Sequence, residues 1–294
     1  MKNEMKSYLI IFSLLVFTKT SLFGQIDAYE PDPNPPTEIP GYSLVWSDEF
    51  NYEGNPDPSV WNYEDGFVRN QEHQWYQIDN ANCKNGTLQI EGRKERFPNP
   101  NYNASSSDWK YNREYVDYTS ASLNTRNLRS WQYGRFEIRA KIPACDGAWP
   151  AIWTLGVASE WPSCGEIDIM EYYDNSILAN AAWGTSEKGV AAWNSSKKSI
   201  SYFTAKDADW ANKFHIWRMD WTSEAIKLYL DDELLNTIEL SKTINASGKN
   251  PFMQEHYVLL NLALGGQNGG NPESPEYPIT YYVDYFRVYQ KTDS

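Results

Sequence analysis

The sequence is short of positive charge. Lys and Arg number 26 against 39 Asp and Glu, and the formal net charge is −13. Nucleic-acid binders need clustered Lys and Arg, and a chain this acidic is repelled by anionic lipid. Neither nucleic acid nor membrane is therefore expected as a partner. Cysteine is scarce as well. Cys83, Cys145 and Cys164 are an odd number, so at least one stays unpaired within a monomer, and none stands in a C-x-x-C pair that would suggest a metal. There is no internal repeat and no long helical period. The apolar run from Tyr8 to Phe17 is too short to cross a bilayer, which takes about 20 residues. What the chain has in quantity is aromatic surface, with 13 Trp and 21 Tyr. Many flat rings and few cations suit stacking against something flat and uncharged, such as a sugar ring.

The N-terminus reads as an export signal. Lys2 and Lys6 precede the apolar core, and small and polar residues follow up to Gly24. Residues 1–24 are assigned to that signal, and the protein is expected to be secreted, into a periplasm or outside the cell. Residues 25–41 hold the proline-rich stretch "IDAYEPDPNPPTEIPG" and are read as an N-terminal arm or linker. One domain is expected over residues 42–291. It is built of short segments of strand composition, such as "TLQIEGRKE" from Thr87, "GRFEIRAKI" from Gly134 and "YVLLNLALGG" from Tyr257. Turn residues such as Asn85-Gly86 and Asp231-Asp232 separate them. This pattern predicts an all-β fold, an antiparallel β-jelly-roll sandwich.

The stretch "CGEIDIMEYY", Cys164 to Tyr173, carries Glu166, Asp168 and Glu171 inside an otherwise apolar strand. Successive strand side chains point to opposite faces, so Glu166 and Asp168 share one and regular alternation sends Glu171 to the other. A buried unpaired carboxylate is costly. Either Glu171 lies at an exposed strand end, or a one-residue bulge at Ile169-Met170 turns it back to the acid side. Three converging acids raise the pKa of one member. A protonated acid that donates to a leaving oxygen, beside an ionised one that attacks carbon, is the pair that glycoside hydrolysis needs. A solvated acidic edge fits poorly with the intervening Ile, Ile and Met. Calcium prefers six or more oxygens, usually from loops.

With these residues in view, the chain resembles glycoside hydrolase family 16, the family of laminarinases and bacterial mixed-linkage β-glucanases. The family signature E-x-D-x-x-E is met by Glu166 to Glu171, and its extra residue marks the bulged, laminarinase-like branch. "LVWSDEFNYEG" at Leu44, "NQEHQWYQIDNANCKNGTLQIEGRKE" at Asn70, "GAWPAIWTLG" at Gly147 and "YYVDYFRVYQ" at Tyr281 resemble family segments in order. The resemblance implies a concanavalin A-like jelly roll with a concave substrate cleft, and hydrolysis with retention. It implies Glu166 as nucleophile, Glu171 as general acid/base and Asp168 as the residue assisting the nucleophile. Trp149 and Trp153 match cleft-lining aromatics, Arg126 a sugar-contacting arginine, and Asn70 and Glu72 a segment at the cleft edge. This chain has Ser120-Ala121-Ser122-Leu123 where many relatives have "SARL", which alters the local sugar contacts.

No cofactor is expected for the chemistry. The resemblance implies a possible structural calcium away from the cleft, with Asp284 as its side-chain ligand and Glu49 and Gly86 as backbone donors. The partner expected is a β-glucan polysaccharide, met by a monomeric endo-acting β-1,3-glucanase that also accepts mixed-linkage glucan. Rival readings are a non-catalytic glucan-binding protein, a galactan hydrolase (agar, carrageenan or porphyran) and a transglycosylase. The segment from Ala181 with Trp183 and Trp193 is read as a loop in the cleft wall.

Overall fold

A computed structural model describes residues 27–33 and 37–292; the expected export signal, residues 1–24, lies outside the described residues. The strands in chain order are β1 (Tyr42–Asp48), β2 (Asn62–Tyr63), β3 (Gln74–Tyr76), β4 (Ala81–Lys84), β5 (Thr87–Pro98), β6 (Tyr115–Ser120), β7 (Ser122–Asn124), β8 (Gly134–Lys141), β9 (Ala148–Gly156), β10 (Glu166–Tyr173), β11 (Ser176–Gly184), β12 (Ala191–Ser199), β13 (His215–Trp221), β14 (Ala225–Leu230), β15 (Glu233–Glu239), β16 (His256–Leu264) and β17 (Ile279–Lys291). One sheet runs β15-β14-β13-β8-β17-β5-β6-β3, with β1 and β4 added on β17 and β5. The other runs β12-β11-β10-β9-β16-β7-β2. Nearly all pairs are antiparallel; β3 and β6 run parallel.

Three hairpins close through two residues, and both residues of each turn have positive φ: Asn85-Gly86, Asp174-Asn175 and Asp231-Asp232. Asn, Asp and Gly tolerate that conformation, and it matches the strand twist. The Asp174-Asn175 turn matters most here, because it fixes β11 against the acid-bearing β10, with Tyr173 opposite Ser176.

The core lies between the sheets. Ile152, Ile167, Ile169, Met170, Ile177, Val258 and Leu260 from the smaller sheet meet Phe136, Ile138, Met219, Leu228 and Phe286 from the larger. Each such side chain contributes about 1.5–3 kcal/mol on leaving water. A separate apolar cluster of Ala151, Trp153, Tyr257 and Leu259, with Leu155 packed against it, occupies the opposite, outer face of the smaller sheet. That face carries the acids.

The arm does not hang free over residues 27–32. Arg139 of β8 donates to the carbonyls of Asp27 and Glu30, at 2.7 and 3.0 Å, and to Asp284 Oδ2 at 2.5 Å. Asp284 Oδ2 also accepts from the Asp32 N–H, and Phe214 N–H donates to the Ala28 carbonyl. Packed structure thus begins well before residue 42. The three free thiols form no disulfide.

Candidate active site

Across β10 the pairing slips by one residue. Asp168 faces Asn180 and Glu171 faces Leu178 on β11, while on β9 Asp168 faces Trp153 and Met170 faces Ile152. The extra residue is a β-bulge at Ile169-Met170, and both of its side chains are fully buried in the inter-sheet core. Two consecutive residues point inward, so Glu171 returns to the outer face with Glu166 and Asp168. The sequence asks for this by placing two apolar side chains where alternation has room for one.

Each glutamate is gripped by donors. Trp161 Nε1 donates to Glu166 Oε2 at 2.7 Å. Trp149 Nε1 donates to Glu171 Oε1 at 2.9 Å, and Asn180 Nδ2 to Glu171 Oε2 at 3.1 Å. Burial drives the Glu171 pKa up to about 7, with Glu166 adding to the rise and the two donors opposing it. Burial also raises Glu166, against the pull of Trp161, Asp168 and Arg69. Asp168 is 2% exposed, and burial first, then Glu171 and Glu166, holds its pKa well above the usual carboxylate range. Its Oδ2 is buried and accepts from no donor. A hydrogen bond from Asp168 to Glu166 favours the ionised form of Glu166.

The flanking residues fall into place around this row. Trp149 and Trp153 share the acids' face, and both are nearly buried. Their indole N–H groups serve Glu171 and Asn261 Oδ1 (2.7 Å). Arg126 is exposed, its guanidinium 5.8 Å from the Tyr257 ring. Asn70, at φ 53°, donates to Glu72 Oε1 at 3.2 Å. Glu72 departs from its expected role as a sugar contact at the cleft edge. It is 2% exposed, and Gln74 and Tyr76 donate to its other oxygen. It offers a sugar no surface, and its occupied carboxylate orients Asn70 instead.

The structure also supplies residues that the sequence reading passed over. Trp161 comes from the segment before β10, and its signal was only a Trp-Pro five residues before Glu166. Ser122 donates to Glu64 Oε2 at 2.6 Å, and Glu64 Oε1 pairs with Arg69. The Arg69 guanidinium lies 5.1 Å over the Trp153 ring. A guanidinium thus stands beside the cleft aromatics, but it comes from the segment before β3. Asn180 required the β10–β11 register to be found. The segment from Ala181 is not a loop but part of the β11–β12 hairpin. Trp183 packs against the core, away from the acids, and Trp193 lies on their side.

At the opposite corner, Asp284 is 2% exposed. Burial raises its pKa, and neighbouring Asp32 adds to the rise, although Arg139 and the Asp32 N–H oppose it. Glu49 accepts two hydrogen bonds from Arg287 on its carboxylate, at 2.9 and 2.7 Å. Gly86, at φ 74°, sits against Asn51 and Pro31. Among the described residues no group of three or more His, Cys, Asp and Glu side chains could hold a metal, so a cation here would rest largely on main-chain carbonyls.

The family model "Glycosyl hydrolases family 16" matches residues 68–287. A "Beta-glucanase" of Rhodothermus marinus is 37% identical over 271 residues, which are 86% of this chain and 87% of that protein. The solved laminarinase catalytic domain of Thermotoga maritima superposes with a TM-score of 0.71 at 32% identity, over 86% of this chain and 99% of that one. A structure presented with the endo-acting O-glycanases by which prominent members of the human gut microbiota initiate mucin breakdown gives 0.78 at 34%, over 87% and 94%.

Proposed function

This chain belongs to glycosyl hydrolase family 16, and from that premise we propose that it is an endo-acting β-1,3-glucanase that cleaves with retention and also accepts mixed-linkage glucan. It is a jelly-roll glycoside hydrolase. The observation that carries the reading is the bulge that brings Glu166 and Glu171 to one face, each gripped by an indole N–H. Glu171, its pKa raised to about 7, keeps a proton near neutrality and gives it to the leaving glycosidic oxygen. Glu166, whose ionised form Trp161 and Asp168 favour against the opposing effect of burial, attacks the anomeric carbon as that bond breaks. Glu171, now ionised, takes a proton from the water that releases the glycosyl group from Glu166. Arg126, Asn70 and Trp153 form the sugar-binding surround.

The test is reducing-end release from laminarin and from barley mixed-linkage glucan, with the anomer of the first product read by NMR. Release of the β-anomer supports the proposal. Binding without release would favour a non-catalytic glucan binder, and chain lengthening at high oligosaccharide concentration a transglycosylase. A second reading, endo-cleavage of mucin O-glycans, is favoured by the TM-score of 0.78 to the O-glycanase structure against 0.71 to the laminarinase. Mucin O-glycans, agarose and carrageenan in the same assay decide between the two.

The proposal includes export directed by residues 1–24, read out by the N-terminus of protein recovered from the medium or periplasm. It also includes a monomer and one structural calcium, with Asp284 Oδ1 and the carbonyls of Glu49 and Gly86 as ligands. Asp284 Oδ2 is taken by Arg139 and the Asp32 N–H, which leaves Oδ1 as the side-chain oxygen for a hard cation. An unchanged Tm in EDTA would remove the calcium from the proposal.

A further inference from the structure

Two tryptophans among the described residues are exposed, Trp161 and Trp193, at 46% and 48%. Trp161 already touches Glu166. Trp193 touches nothing in the site, yet strand pairing puts it in line with it. Glu166 lies directly opposite Ala182 on β11, and Ala182 directly opposite Trp193 on β12. Directly paired residues share a face. Neither pairing is disturbed by the bulge, which begins only after Asp168. Glu166, Ala182 and Trp193 therefore form one row across three strands, roughly 10 Å from first backbone to last. The residue between them in that row, Ala182, is small and fully buried.

The other face of β12 confirms the direction. Asn194 Oδ1 accepts from Asn236 of β15 at 3.1 Å, and Lys198 pairs with Glu233. The even-numbered residues thus face the larger sheet and hold the two sheets together. The odd-numbered Trp193, Ser195 and Lys197 are exposed on the acids' side. On this edge strand about half of the Trp193 surface is open to solvent.

We propose that Trp193 is a stacking platform for a pyranose ring, forming a distal subsite at the β12 end of the cleft. The idea rests on the glycan-hydrolase reading and adds a length of substrate to it. A polysaccharide crossing the strands over Glu166 and Glu171 and continuing toward β12 reaches the indole. Ser195, beside Asn180 in the next row, offers a hydroxyl to the same sugar.

The experiment measures kcat/KM on β-1,3-linked gluco-oligosaccharides of increasing length for wild type, Trp193→Ala and Trp193→Phe, with circular dichroism to verify folding. Aromatic stacking is worth about 0.5–1.5 kcal/mol, or roughly two- to twelvefold. Trp193→Ala should flatten the rise of kcat/KM with length by about three- to tenfold at the longest substrate, and Trp193→Phe should recover part of it. A Trp193→Ala variant that tracks wild type at every length overturns the subsite. If wild type cleaves none of these, the glucan reading fails but the subsite does not. Quenching of tryptophan fluorescence by whichever tested glycan the wild type cleaves then decides it: loss of the quench in Trp193→Ala supports the platform, and an identical quench overturns it.

Discussion

The Trp161 indole reaches Glu166 from outside the strand that carries it, 2.7 Å from N to O. The donor belongs to the segment before β10, so the charge of Glu166 and the placement of that segment depend on each other. Trp161→Phe keeps the ring and removes the donor. A hydrogen bond to a charged group is worth about 1.5–3 kcal/mol, and one pKa unit corresponds to about 1.4 kcal/mol. The acid limb of the kcat/KM profile, which reports ionisation of Glu166, should move up by about one to two pH units. An unmoved limb would separate Trp161 from the nucleophile.

Glu166→Ala removes the attacking oxygen from a half-buried position, so the fold should survive. Turnover of polysaccharide should fall on the order of 10⁴-fold or more. Azide should restore part of it and yield the α-glycosyl azide. A β-azide product, or no rescue with activity largely retained, would reassign the nucleophile.

Glu171→Gln removes the proton donor. The loss on polysaccharide should be about 10²–10⁴-fold, and much smaller on aryl glycosides whose leaving groups need no proton. In wild type the basic limb should fall near pH 7, since activity is lost as pH rises and Glu171 gives up its proton.

The same residue should act on stability with a definite sign. Its folded pKa lies above the ordinary value of 4.5. Between these two values the folded state binds more protons than the unfolded one, so stability falls as pH rises from about 4.5 to 7 and stays low above that range. Glu171→Gln escapes the penalty. Its Tm at pH 8 should exceed that of wild type by about 2–6 °C, for a relief of about 1–2 kcal/mol. At pH 4 the difference should vanish. A variant less stable than wild type at pH 8 would mean that Trp149 and Asn180 outweigh burial.

Arg139 and Asp284 are 4% and 3% exposed at their side chains. Removing one partner of a buried pair typically costs about 3–5 kcal/mol. Asp284→Ala should lower Tm by about 6 °C or more by differential scanning calorimetry, and limited proteolysis should open the chain around residues 27–32. A Tm within 1–2 °C of wild type would show that the arm is held by other contacts.

The sequence made the row of acids legible because β pleating is binary: an acid either faces the core or does not. Apolar Ile169 and Met170 between Asp168 and Glu171 left few solutions, and the bulge is one of the two foreseen. Alternation alone could not sort Trp183 from Trp193, since their ten-residue separation spans a hairpin whose turn was not recognised. Once β12 is known to pair with β11, the two fall on opposite faces. Glu72 was misjudged for a different reason. Sequence shows that a carboxylate is near the cleft but not that Asn70, Gln74 and Tyr76 consume it. The proline-rich arm read as a linker from composition, and what ties it down is Arg139, more than a hundred residues away.

The irregularity in β10 also loosens a constraint on how such a site can vary. In an unbroken ladder, one added residue would invert every side chain beyond it. Here the added residue is absorbed on the spot, and the turn at Asp174-Asn175 and all of β11 stay in step. The same two glutamates could therefore be presented by a strand one residue shorter, with E-x-D-x-E in place of E-x-D-x-x-E. Chain length and chemical geometry have become separable at this point, and only here along the strand would losing a single residue leave the working face intact.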